Sequence, residues 1–311
     1  MFCWPGQSHL SGFYFGFFMS DSEPQSQITH LIKLIDDRDE FVRSRVRGKL
    51  IELGADAIPF LEMAAREENA SLRTRAREII KAFFPIQLGE KFRQLATSAP
   101  MGYFDLEEGM LLLMQYGYPE SQPQEIRETL DGYAREISSR IPPQASPKTI
   151  VVELTQFLFV EKGFKGNEKN YSDPDNSYFN KVLERKTGIP ITLSALCILV
   201  GSRLGQPIVG VGLPGHYIAK FDAAKDPIFF DPFHGGRRLI REDCIGLITR
   251  LGHHFEEHHL AKATNQETLV RMMNNLIHAY NQSQETEIAG QLADFTRILM
   301  KPNEDNPVKP V

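Results

Sequence analysis

Cysteine, excess positive charge, long apolar runs and a basic amino-terminal region are all scarce or missing here, and each scarcity closes off a class of protein. The 311 residues hold 3 cysteines, Cys3, Cys197 and Cys244, too few and too scattered for a disulfide framework or a paired-cysteine zinc site. A reducing compartment follows, and the cytoplasm is the expected location. Lysine and arginine number 35 against 40 acidic residues, a formal net charge of -5, so the chain lacks the positive field that marks a nucleic-acid partner. The longest apolar run, ITLSALCILV, falls short of the roughly 20 residues that a membrane helix needs. The aromatic opening MFCWPGQSHLSGFYFGFF has no basic residue before its apolar part, which argues against a secretory signal. Residues 1–26 read as a leader, and Met19, which opens MSDSEPQSQ, reads as the true start.

What is present is an ordinary globular balance, 41% hydrophobic and 24% charged. Apolar residues spaced three and four apart in ITHLIKLIDD and FVRSRVRGKLIELG predict amphipathic helices. The second pattern returns thirty residues on, with Arg43, Arg45 and Arg47 echoed by Arg73, Arg75 and Arg77. Such a repeat implies stacked helix pairs over 27–85. An arginine ladder suits phosphate or acidic peptide, but the acids Asp36, Asp37, Asp39 and Glu40 beside the first set favour local pairing. Two more helices are expected within 86–147, ending at the linker IPPQASPK.

The core is expected over 148–250. Its first segment, KTIVVELTQFLFV, reads equally as helix or strand, and a loop follows it. Asn176 or Ser177 would cap a helix from about Tyr178, with Lys181, Glu184 and Arg185 on its wetter side. Pro190 then opens a mostly buried helix, where its missing N–H is harmless. QPIVGVGLP, HYIAKF and PIFFDPF, divided by Pro-Gly and Lys-Asp-Pro turns, predict a small antiparallel sheet. The fold class is therefore α+β and predominantly helical, one helix on an antiparallel sheet with all-helical flanks. A helical hairpin is expected over 251–301 and a disordered tail over 302–311.

Cysteine hydrolases and acyl transferases place a thiol at a helix N-terminus, a histidine on one strand and an orienting carboxylate on the next. Here the helix opener, His216 and Asp231 occur in that order. A thiol at the opening of that helix would fall near Pro190, which offers no nucleophile. Thr192 and Ser194 offer hydroxyls nearby, Cys197 reads as core, and Cys244 reads as packing beside Arg241. A second candidate lies in LGHHFEEHHL, where His254, Glu257 and His258 spell H-x-x-E-H. On a helix those residues would suit zinc with Glu257 as a base; the bland reading is a solvated histidine-rich helix end, and no metal or other cofactor is expected.

YSDPDNSYFNKVLERKTGIPITLSALCILVGSRLG, VGVGLPGHYIAKF and FFDPFHGGRRLIREDC together resemble the SirB-type transglutaminase-like core family, with the likeness strongest over 164–245. The resemblance implies a transglutaminase-like, papain-like core that keeps His216 and Asp231 and has lost its cysteine at Pro190. The flanks resemble HEAT repeats at the amino-terminal end and a tetratricopeptide-like pair at the carboxy-terminal end. Two functions of different class follow. The first is a non-catalytic regulatory or scaffold protein that holds a peptide or protein in a pocket shaped by Asn176, Glu184, His216 and Asp231. The second is a cysteine-independent amidohydrolase or acyl transferase with His216 as base and Asp231 as its orienter.

Overall fold

A computed structural model describes residues 23–304. The leader, the expected start at Met19, Cys3 and the end of the tail lie outside the described residues. The chain divides between Phe83 and Phe84 into two compact units.

The first unit comprises α1 (Glu23–Leu34), α2 (Glu40–Glu52), α3 (Ile58–Ala64) and the opening of α4 (Ala70–Thr97), which runs on past the division and carries Pro85 inside it. Its buried residues include Ile28, Ile35, Val46, Leu50, Leu61, Ala76 and Ile79. The repeat is physical as well as written. Asp39 Oδ1 accepts the Phe41 N–H at 2.8 Å, and thirty residues later Asn69 Oδ1 accepts that of Ser71 at 2.9 Å. Both caps satisfy helix N–H groups that have no intrahelical partner. Arg43 Nη1 donates to the carbonyls of Asp37 and Arg38, and Arg73 Nη1 donates to those of Glu67 and Glu68. The same guanidinium thus closes the same turn twice. One expectation shifts in detail, because Asp36 meets Arg75 and Ser71 of the second set rather than the arginines beside it in sequence.

After the rest of α4 and a 3-10 turn over Pro100–Gly102, the second unit continues with α5 (Leu106–Gly117), α6 (Pro123–Ser138) and α7 (Pro147–Thr155). The ambiguous segment after Pro147 is helix, continuing as a turn of wider π-type winding over Gln156–Glu161. In the expected loop, β1 (Lys165–Gly166) pairs in parallel with β2 (Thr187–Gly188), on either side of α8 (Phe179–Arg185). The cap of α8 differs from expectation. Tyr178 is its N-cap residue and makes no capping bond from its side chain, while Asn176 and Ser177 belong to a preceding 3-10 turn and its exit.

The helix α9 (Pro190–Arg203) opens at Pro190 and is buried along nearly its whole length. It packs on α6 and on a four-stranded antiparallel sheet ordered β3 (Ile208–Val211), β4 (Ile218–Phe221), β5 (Ile228–Asp231), β6 (Arg237–Leu239). That arrangement is the expected α+β, predominantly helical class. The last strand was not expected, since Arg237–Leu239 carries little apolar pattern; two glycines turn the chain back and pair Asp231 with Arg237. Gly210 on β3 is required by shape, because an added Cβ would lie 2.0 Å from the Tyr217 hydroxyl. Then come α10 (Arg241–Arg250), α11 (Asn265–Gln282) and α12 (Thr286–Met300), the last two packed together as a hairpin, with α11 also against α5 and α9.

Candidate functional site

The sheet brings His216 and Asp231 together. His216 stands just after the Pro214-Gly215 turn, two residues before β4 rather than at its start; Gly215 takes a left-handed φ of 73°, and the His216 N–H closes the turn on the Leu213 carbonyl at 3.1 Å. Asp231 ends β5. Antiparallel pairing of β4 with β5 carries the carboxylate to the ring, and His216 Nε2 lies 2.9 Å from Asp231 Oδ2.

A third side chain joins them. After Asp231 the chain makes a 3-10 turn over Pro232–His234 and then two left-handed glycines, Gly235 and Gly236. The Gly236 N–H closes this turn on the Asp231 carbonyl at 2.8 Å, a conformation that glycine enters without Cβ strain. His234 Nδ1 consequently comes within 2.8 Å of Asp231 Oδ2. The other carboxylate oxygen, Oδ1, accepts the Phe233 N–H at 3.1 Å.

Asp231 is 2% exposed, and the removal of water pushes its carboxyl pKa up. The hydrogen bond and charge of His216, followed by those of His234, outweigh burial and hold it below the ordinary carboxylate value. An ionised carboxylate only accepts, so each facing imidazole nitrogen donates its N–H. Nδ1 of His216 is then the nitrogen left for other work. The Phe233 ring stands edge-to-face with the His216 ring, centroids 6.3 Å apart, and the half-exposed Tyr171 ring lies 6.1 Å from that of Phe233. From below, Arg271 on α11 donates from Nη2 to the carbonyls of Leu213 and His216, both at 2.9 Å, and so pins the turn that bears the histidine.

The remaining sequence candidates are placed elsewhere. Pro190 is buried as the first residue of α9. The Thr192 hydroxyl donates to the Asn176 carbonyl at 2.8 Å and accepts the Ile189 N–H at 3.1 Å, so backbone groups occupy it. Ser194 Oγ is buried without a hydrogen-bond partner. Cys197 is fully buried, which pushes its thiol up; burial, then Asp243 and Asp231, push the Cys244 thiol up to about 11. Neither is disposed to be a thiolate at neutral pH. Asn176 is buried, with its amide donating to the carbonyls of Asn170 and Tyr171 and its Oδ1 accepting from Asn167. Glu184 pairs with Lys181 at the solvent face. The first organises the loop that runs from Asn167 to Asn176, and the second is an ion pair at the surface.

The H-x-x-E-H stretch does not form the expected helix. Chain 251–256 is turn and extended backbone, and Glu257–Leu260 is a short 3-10 turn. Gly252, at a φ of 82°, takes the chain out of α10 before His254 is reached. Glu257 binds Arg241, and His258 lies 3.2 Å from Glu256. Sequence reasoning weighed that cluster and missed His234; the signal available was the Gly-Gly after Pro-Phe-His, which returns a side chain three residues on to Asp231.

Residues 124–274 match the family model described as Transglutaminase-like superfamily. A UPF0162 protein of Xylella fastidiosa is 31% identical over 204 residues, covering 62% of this chain and 71% of that protein. A UPF0162 protein of Vibrio cholerae is 28% identical over 132 residues, covering 42% of this chain and 49% of its own. F-box only protein 21 of Mus musculus is 28% identical over 208 residues, covering 57% of this chain and 33% of that protein. No solved structure matches.

Proposed function

Because the chain belongs to the UPF0162 family and carries a transglutaminase-like domain, we propose that it is a SirB-type, non-catalytic regulatory or scaffold protein that holds a peptide or protein segment beside His216 and Asp231. The observation that carries this reading is the state of the groups that would attack a substrate. Pro190 occupies the helix opening, Thr192 is bonded to backbone, and both described thiols are buried and pushed up. What remains at the site is suited to holding: one free imidazole nitrogen, a fixed carboxylate beneath it, and the edges of Phe233 and Tyr171. A segment with a polar side chain next to an apolar one would meet both kinds of surface. The amino-terminal HEAT-like pairs and the tetratricopeptide-like hairpin would add contact area, in the cytoplasm. None of the described helices is long and apolar enough to cross a membrane.

A second reading has one observation in its favour. His216 keeps the paired geometry of a general base, with Nε2 on a carboxylate and Nδ1 open. An amidohydrolase or acyl transferase acting through a His216-activated water would use it. Profiling with amide and thioester substrates separates the two: the binding reading expects no turnover that depends on His216, and a turnover present in the native protein and lost in His216→Ala overturns it. Pro190→Cys, which supplies a thiol at the helix opening, is the companion measurement.

A further inference from the structure

Asp231 Oδ2 faces two imidazole nitrogens at once, His216 Nε2 at 2.9 Å and His234 Nδ1 at 2.8 Å. The three atoms lie within 4.8 Å of one another. We propose that His216, Asp231 and His234 form a binding site for a divalent transition-metal ion.

The distances fit. An ion bonded to nitrogen and oxygen at about 2.0–2.1 Å, with those ligand atoms about 2.9 Å apart, has them at about 90° to one another. Each nitrogen thus stands to the carboxylate oxygen at the angle between neighbouring ligands of an octahedron, and two imidazoles with one carboxylate suit zinc, iron, cobalt or nickel rather than magnesium or calcium. Binding needs no net loss of protons from neutral rings. Each ring moves its proton to the other nitrogen, His216 to Nδ1 and His234 to Nε2, and the freed lone pairs turn to the ion in place of the two N–H donations to Oδ2.

The frame is built in advance. Asp231 and His234 belong to one closed turn, held by the Gly236 N–H and by the Phe233 N–H on Oδ1. His216 is fixed by its own turn and by Arg271. The carboxylate is buried, while the His234 side chain is 49% exposed, so the site is reached from the His234 side. His254, Glu257 and His258 offer a contrast, being exposed, on irregular chain, and in part taken up by Arg241 and Glu256.

The inference does not depend on whether the protein binds a peptide or turns over a substrate, and its test reads the ion alone. The chelator-treated full-length chain is titrated with zinc and, separately, with cobalt, whose visible bands report bound nitrogen and oxygen ligands; metal content is measured after dialysis. One ion per chain is expected. Outer partners of a metal ligand are worth 10–100-fold in affinity, so removal of a ligand itself by His234→Ala weakens binding by at least about 100-fold. Circular dichroism of this variant checks that the fold is kept, which its exposed position favours. The double variant His254→Ala/His258→Ala keeps native affinity. Less than stoichiometric metal in the native chain, unchanged affinity in His234→Ala, or loss of binding in the double variant would each overturn the site.

Discussion

The arginine repeat of the first unit and the histidine–aspartate cluster of the second put charge to opposite uses. In the first, arginines and acids lie near the surface and serve the backbone: Arg43 and Arg73 close turns, and Asp39 and Asn69 cap helices. Each such bond is partly wet, is made twice, and has its energy spread along the repeat. In the second, a carboxylate is taken out of water and given to two imidazoles. Charge that assembles a fold can be exposed and redundant. Charge held for another group is buried and single.

The sharpest break in that comparison is Asp231→Ala. Removing the carboxylate takes the shared acceptor from the His216, His234 and Phe233 N–H groups, so the second unit should lose about 3 kcal/mol in a denaturant titration. A loss below about 1 kcal/mol, the range of surface pairs, would put Asp231 in the same class as the first unit's charges. Gly210→Ala should come next, at about 2 kcal/mol, because the new methyl displaces the buried Tyr217 ring next to His216. Arg73→Ala should cost about 1 kcal/mol, the value of partly exposed hydrogen bonds, and should leave any ligand or metal binding at His216 unchanged. The smallest effect concerns pH. The Ser71 hydroxyl bond, opposed by burial and assisted by Asn69 and Arg75, holds Asp36 below the ordinary aspartate value. Its contribution is present above that ordinary value and is lost as pH falls through the lower folded one. Asp36→Asn should therefore flatten the acid side of the first unit's stability profile and leave the neutral side unchanged.

The sequence was informative where function follows from order along the chain. Pro190 opens the central helix as its φ preference requires, and the succession of helix, histidine and aspartate places His216 against Asp231 once adjacent strands pair. It was uninformative where a contact depends on a turn or on distant chain. His234 reaches Asp231 only because two glycines permit the bend, whereas the more conspicuous H-x-x-E-H owes its metal-like spacing to a helix that never forms. Asn176 and Glu184 are both polar, one just before α8 and the other near its end. Burial sends one into the loop frame and leaves the other at the surface. Arg271 carries no motif, and its partners Leu213 and His216 are 58 and 55 residues away.

That arginine bears on where the protein can be shortened. The carboxy-terminal hairpin reads in sequence as an appendage after 250, yet α11 reaches back through Arg271 to hold the backbone of His216 and packs on α12 through its other side. A fragment trimmed at the end of the sheet would keep every residue of the histidine and aspartate cluster and lose the support beneath it. A fragment that keeps the site with its support must therefore include α11 together with α12, on which it packs.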